Sequence, residues 1–221
     1  MTAPRRPTRI ALLGAESTGK TRLAAALADA FSGQGRTAAV VPEVLREWCD
    51  REGRTPRPHE QAAIAMEQAQ RVLTLNTAEI VIADTTPLMT AIYSHLLFSD
   101  ETLYDFAMDH QRLYDATLVT GLDLPWVADG LQRDGPQVRE PVDTLLRAAL
   151  ARSGLHWQVI YGSGVHRVDN ALNAIFKVAN NTYLTPGSRQ KTLNSDTWNW
   201  SCEKCSDPAC EHRLFTGLLK P

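Results

Sequence analysis

Cysteine is scarce in this 221-residue chain: one stands alone at Cys49, and the other three fall together at Cys202, Cys205 and Cys210. That pattern excludes the dense disulfide framework of a small secreted domain and leaves thiols or metal ligands as the expected chemistry. No apolar run is long enough to span a bilayer. The basic start at Arg5, Arg6 and Arg9 leads into a short apolar strand rather than the h-region of a signal peptide. A cytoplasmic protein with no membrane partner is expected. Excess charge of one sign is also missing: 23 Lys and Arg stand against 25 Asp and Glu, with net charge −2 and pI near 6.3, so no basic field invites a nucleic acid. There is no internal repeat or low-complexity tract, and no N-K-x-D string, which argues against a GTPase. The chain is 43% hydrophobic and 22% charged, ordinary globular material for one domain of moderate size plus an appendage.

Against these absences stands the string G-A-E-S-T-G-K-T, from Gly14 to Thr21, straight after the apolar run Ile10 to Leu13. It matches G-x-x-x-x-G-K-[ST], the phosphate-binding loop. Gly14 and Gly19 permit backbone angles that turn successive N–H groups of Glu16, Ser17 and Thr18 around an anion. Lys20 supplies a mobile ammonium for the β- and γ-phosphates of ATP, and Thr21 a hydroxyl for Mg²⁺. The helix expected from Arg22 to Phe31 aims the positive end of its dipole at the same phosphates. A plain Gly-rich turn between strand and helix is the alternative.

β-rich apolar runs recur at Thr8–Leu13, Thr37–Val41, Glu79–Ala83, Ala116–Thr120 and His156–Tyr161, with helical patterns between them. That alternation predicts an α/β fold, a parallel sheet of about five strands flanked by helices, with the ligand site at the carboxyl ends of the strands. A long helix is expected over His59 to Leu75 and a last one over Val168 to Ala179. Residues 1–180 would form this domain. From 181 to 221 the composition turns to Asn, Thr, Pro, Gly and Ser, which reads as an appended arm.

Acids and arginines at strand ends carry the next step. Asp84 closes the run Ile80 to Ala83, where it can hold a Mg²⁺-bound water or orient an acceptor; helix N-capping before Pro87 is the competing role. Glu43, after the second strand, can bind a sugar diol or take a hydroxyl proton. Arg46 can neutralise phosphate charge or simply pair with Glu43 or Glu47 on the surface. Glu43 and Asp84 both stand as candidate bases. The polar stretch Val127 to Glu140, bracketed by Pro125, Pro136 and Pro141, has the makings of a lid. Arg133 and Arg139 would meet the phosphoryl group on its closure. Gly162-Ser163-Gly164 with Arg167 suits an adenine ring approaching the backbone, or a plain turn. Cys49 beside Trp48 reads as buried packing.

These residues resemble the kinase domain of the NadR-type ribosylnicotinamide kinases, within an AAA-like P-loop group, over about residues 8 to 180. The resemblance rests on the phosphate loop, on Glu43, Arg46 and Glu47 as E-x-x-R-E, on Gln70 in the long helix, on Asp84-Thr85, on the string from Trp126 to Leu131, and on Arg167. It implies a nucleoside/nucleotide-kinase-like P-loop NTPase fold. It also implies ATP- and Mg²⁺-dependent phosphorylation of the 5′-hydroxyl of nicotinamide riboside, with Glu43, Arg46, Glu47 and Gln70 toward the acceptor. The family's acid two places after the strand-end aspartate is Thr86 here. The adenylyltransferase domain that often precedes this kinase has no counterpart in these residues, so any nucleotide-joining activity is expected from another protein.

The tail adds Cys202-x-x-Cys205 and Cys210-x-His212, four ligands that suit a structural tetrahedral Zn²⁺ whose binding would supply the arm's folding energy. An iron–sulfur cluster or free thiols are the alternatives. A small-molecule kinase is therefore expected. A P-loop kinase for another acceptor, or an ATP-dependent switch acting on a protein partner, are the rival readings.

Overall fold

The computed structural model describes residues 6–127 and 136–182, the side chains of the last helix through Val178. They fall within the first of two units, Met1–Tyr183; the second, Leu184–Pro221, lies outside the described residues. Arg133 and the cluster Cys202, Cys205, Cys210 and His212 lie outside them as well.

Five strands, β1 (Thr8–Leu13), β2 (Ala38–Val41), β3 (Ile80–Asp84), β4 (Ala116–Thr120) and β5 (Gln158–Ile160), form one sheet in the order β2-β3-β1-β4-β5, every pair parallel. Among the described residues seven α-helices connect and cover them: α1 (Lys20–Gly33), α2 (Val44–Glu52), α3 (Pro58–Thr74), α4 (Pro87–Phe98), α5 (Tyr104–Gln111), α6 (Arg139–Ser153) and α7 (Gly164–Thr182). The expected α/β fold is present, a five-stranded parallel sheet flanked by helices.

The sheet's interior reads directly from side-chain alternation. Ile10 and Leu12 of β1 pack with Leu27 and Phe31 of α1 and with Ala171 and Ile175 of α7. On the opposite face Leu13 meets Leu88, Met89 and Ile92 of α4 and Val142, Leu146 and Leu150 of α6. Successive strand residues point to opposite faces, so a sheet covered on both sides needs apolar residues at nearly every position. β3 and β4 are accordingly buried throughout, while the edge strands β2 and β5 are short and only partly buried. Each fully buried large side chain here, such as Phe31 or Leu118, contributes about 1.5–3 kcal/mol to folding.

Helix ends follow local chemistry, with small shifts from the sequence expectation. α3 starts at Pro58, because Pro at the first position needs no N–H partner and Glu60 accepts a 2.7 Å hydrogen bond from the Arg57 backbone. α7 begins at Gly164, four residues earlier than expected, its first turn closed by Arg167 N donating to Ser163 O. The cap of α4 is Thr86, whose hydroxyl accepts from Leu88 N, so Asp84 is released from that competing role. No helix among the described residues is long and apolar enough to cross a membrane.

Candidate active site

β1 and β3 are neighbours in register, Leu12 beside Asp84, so the loop leaving β1 emerges next to the carboxylate that ends β3. The loop's shape depends on two glycines. Gly14 has φ 144° and its missing Cβ makes room for Thr120 Oγ1; Gly19, φ 78°, is the left-handed cap from which α1 departs. Behind the loop the Thr18 and Thr120 hydroxyls lie 2.6 Å apart, and Thr120 donates to Leu13 O at 3.1 Å. In front, Ser17 Oγ accepts from Val127 N at 2.8 Å and donates to Val127 O at 3.2 Å, pinning the segment that leads into residues 128–135.

Lys20 is buried, its ammonium donating to Gly14 O and Ala15 O, both at 2.9 Å. Burial lowers its pKa from the ordinary lysine value, opposed by the nearby carboxylates of Glu43 and Asp84. Thr21 Oγ1 donates to Asp84 Oδ2 at 2.5 Å, and Arg46 reaches the same hydroxyl at 3.4 Å while pairing with Glu43 at 3.2 Å. One lysine, one arginine, two buried carboxylates and a hydroxyl thus converge at the carboxyl end of the sheet. Charges of both signs at such spacing stabilise a transferring phosphoryl group while keeping the site nearly neutral beforehand.

The donor set also fits Mg²⁺. Asp84 is 2% exposed, and its Oδ1 has no hydrogen-bond partner, an arrangement costly in a buried carboxylate unless a cation completes it. Among the described residues no group of three or more His, Cys, Asp and Glu is placed to hold a metal ion, so Thr21 and Asp84 would share it with phosphate and water.

A cleft of about 1070 Å³ runs from the loop toward α2, α3 and α4. Glu16, Ser17, Thr18, Gly19, Lys20, Thr21, Glu43 and Arg46 line it as expected from the sequence. Other expected residues stand elsewhere. Glu47 is exposed and ion-paired with Arg71 of α3, because one helical position beyond Arg46 turns it off the cleft. Gln70 is exposed, since the buried stripe of α3 runs through Gln61, Ile64, Ala65, Gln68 and Val72. Arg139 is 8% exposed at the start of α6, donating to Leu122 O, and does not line the cleft.

Arg167 is 4% exposed and sits behind the loop, not against an open surface where a ring could stack. Its guanidinium donates to Thr18 O at 2.9 Å, to Gly162 O at 2.6 Å and to Asp123 at 3.1 Å. It therefore clamps the phosphate loop to the turns after β4 and β5. Asp123 also accepts from Gly162 N at 2.6 Å, and these partners help hold its carboxyl below the usual range, against burial, which acts the other way.

Sequence reasoning passed over Thr120, Asp123 and Gln61. A small hydroxyl at the end of β4 and a glutamine three positions before Ile64 in the apolar stripe were the available signals.

The family model described as an AAA domain matches residues 9–167. No curated protein sequence matches the chain. Among solved structures, a NadR protein in complex with NR has a TM-score of 0.63 at 20% identity, over 85% of this chain and 53% of that one. A NadR protein in complex with NAD and AMP-PNP has 0.61 at 18%, over 84% and 52%. A deoxyadenosine kinase from M. mycoides with bound dCTP has 0.51 at 13%, over 77% of this chain and 100% of that one. The chain spans about half the length of the NadR chains it resembles, and at these identities the likeness is one of fold. With a match that runs from the first strand to the first turn of the last helix, the chain belongs to the AAA domain family.

Proposed function

We propose that this protein is an ATP- and Mg²⁺-dependent small-molecule kinase that phosphorylates the 5′-hydroxyl of nicotinamide riboside to give nicotinamide mononucleotide, a step of NAD salvage. The observation that carries it is the convergence of Lys20, Thr21, Asp84, Glu43 and Arg46 at one end of a cleft that continues past α2 and α4. That leaves room for an acceptor in line with a phosphate seated on the loop.

Mg²⁺, when bound at Thr21 and Asp84, would neutralise charge on the β- and γ-phosphates. Lys20 would exchange its loop carbonyls for phosphate oxygens, and the loop's N–H groups would bind the remainder. Glu43, held by Arg46 at the start of α2, would take the proton of the acceptor hydroxyl or orient it, with Asp84 as the alternative base. Arg133 belongs to the proposal as a lid arginine and Arg167 as the residue that holds the loop in shape, whereas Arg139, buried against Leu122 O and off the cleft, is left out of it. Residues 1–180 are the proposed kinase domain and 181–221 an arm holding structural Zn²⁺ on Cys202, Cys205, Cys210 and His212. A NadR protein of similar fold was solved in complex with NR, which supports this acceptor over others.

A different small acceptor is the second reading. Thr86 is fully buried as a helix cap and bonded to Gln111 at 2.8 Å, so the acid expected at that position has no substitute there. ATP consumption with Mg²⁺ and nicotinamide riboside, read together with product mass, separates the two. A product heavier by one phosphoryl group, lost in Lys20→Ala, is expected; ATP binding without that product would reject this acceptor.

A further inference from the structure

Gln61 is the one buried polar side chain on the α3 wall of the cleft that the proposed chemistry leaves unused. It is 1% exposed, and its Oε1 has no hydrogen-bond partner, whereas Gln68 on the same stripe accepts from Val44 N at 2.8 Å. A buried amide oxygen without a donor is destabilising, and the amide carries both an acceptor and two donors. The same cleft is also lined by Leu45, Pro56, Tyr93 and Leu97 and by the Asp50 carboxylate. An apolar and aromatic lining with one unpaired amide and several carboxylates suits a planar ring that is cationic or neutral and bears a hydrogen-bond donor on its edge.

We infer that Gln61 is a specificity residue for the acceptor and selects a riboside whose ring carries a primary carboxamide over one carrying a carboxylate. The inference rests on the kinase reading above. A carboxamide N–H would donate to Gln61 Oε1 while its carbonyl accepts from the Gln61 amide, satisfying both sides. A carboxylate has no donor to offer, so it leaves Oε1 unpaired and brings a negative charge into a cleft that the Glu43 and Asp50 carboxylates already line. Sites built to pair a polar group reject the analogue that lacks it far more strongly than apolar pockets distinguish shapes.

The test compares kcat/KM for nicotinamide riboside and nicotinic acid riboside in wild type, Gln61→Met and Gln61→Glu, with thermal melting and the KM for ATP measured alongside. Wild type is expected to prefer the amide by about tenfold or more. In Gln61→Met that ratio should fall by about tenfold with the KM for ATP unchanged. Gln61→Glu, which keeps an acceptor and repels the acid, should retain the preference. A wild-type enzyme that uses both ribosides equally overturns the inference without any variant, as does a folded Gln61→Met enzyme with an unchanged ratio. Turnover of neither riboside overturns the acceptor reading itself and this inference with it.

Discussion

The Thr21 hydroxyl donates a 2.5 Å hydrogen bond to Asp84 Oδ2, joining the end of the phosphate loop to the end of a strand 63 positions later. Both groups are oxygen ligands of the kind Mg²⁺ takes, and the second Asp84 oxygen is buried with no partner.

Asp84→Asn should therefore lower kcat by about 10²- to 10³-fold, in the range seen when one preorganised electrostatic group is removed. Steady-state ATP turnover across a Mg²⁺ titration checks this. Activity within about tenfold of wild type would remove Asp84 from phosphoryl transfer.

Gly14→Ala should destabilise the fold by about 2 kcal/mol or more, because φ 144° is strained for an L residue and the added Cβ would collide with Thr120 Oγ1. Urea unfolding measures the loss. Adding Thr120→Ser should not relieve it, since serine keeps the offending oxygen; Thr120→Ala should relieve part of it.

Arg167→Met separates a clamp from a ring-stacking arginine. Loss of the bonds to Thr18 O, Gly162 O and Asp123 should cost about 2–3 kcal/mol of stability without any nucleotide. The KM for ATP should rise as the loop loosens. A variant of unchanged stability with only a raised KM would favour stacking instead.

His110 gives a pH dependence. Burial, with Arg9 acting in the same sense and the Ala69 backbone opposing, lowers its imidazole pKa from the ordinary 6.5. The unfolded chain then takes up a proton at a higher pH than the folded protein, so this contribution is fully present above about pH 6.5 and is lost as pH falls through that range. Urea midpoints measured across it should decline for wild type and decline less for His110→Gln.

The purified full chain should hold about one equivalent of zinc, released in Cys205→Ser. Elemental analysis decides it. Iron with visible absorption, or no metal at all, would reject the zinc assignment.

The sequence by itself determined whatever depends on near neighbours. Eight consecutive residues specify the phosphate loop, because its shape comes from glycine torsions and its chemistry from Lys20 and Thr21 beside them. Strands β1 and β4 stand where their apolar runs placed them, and Asp84 lies beside the loop because parallel strands bring their carboxyl ends together. What only the tertiary structure decided were partnerships between distant segments. Gln70 and Gln61 carry the same side chain on one helix, yet the helix packs with Gln61 inward and Gln70 exposed, a phase set by its contact with α4 and α2. Glu47 is drawn to Arg71, and Arg167 to a carbonyl 149 positions away. A charged side chain's partner is chosen by the fold that surrounds it, and burial then turns a nearby dipole or charge into the decisive interaction.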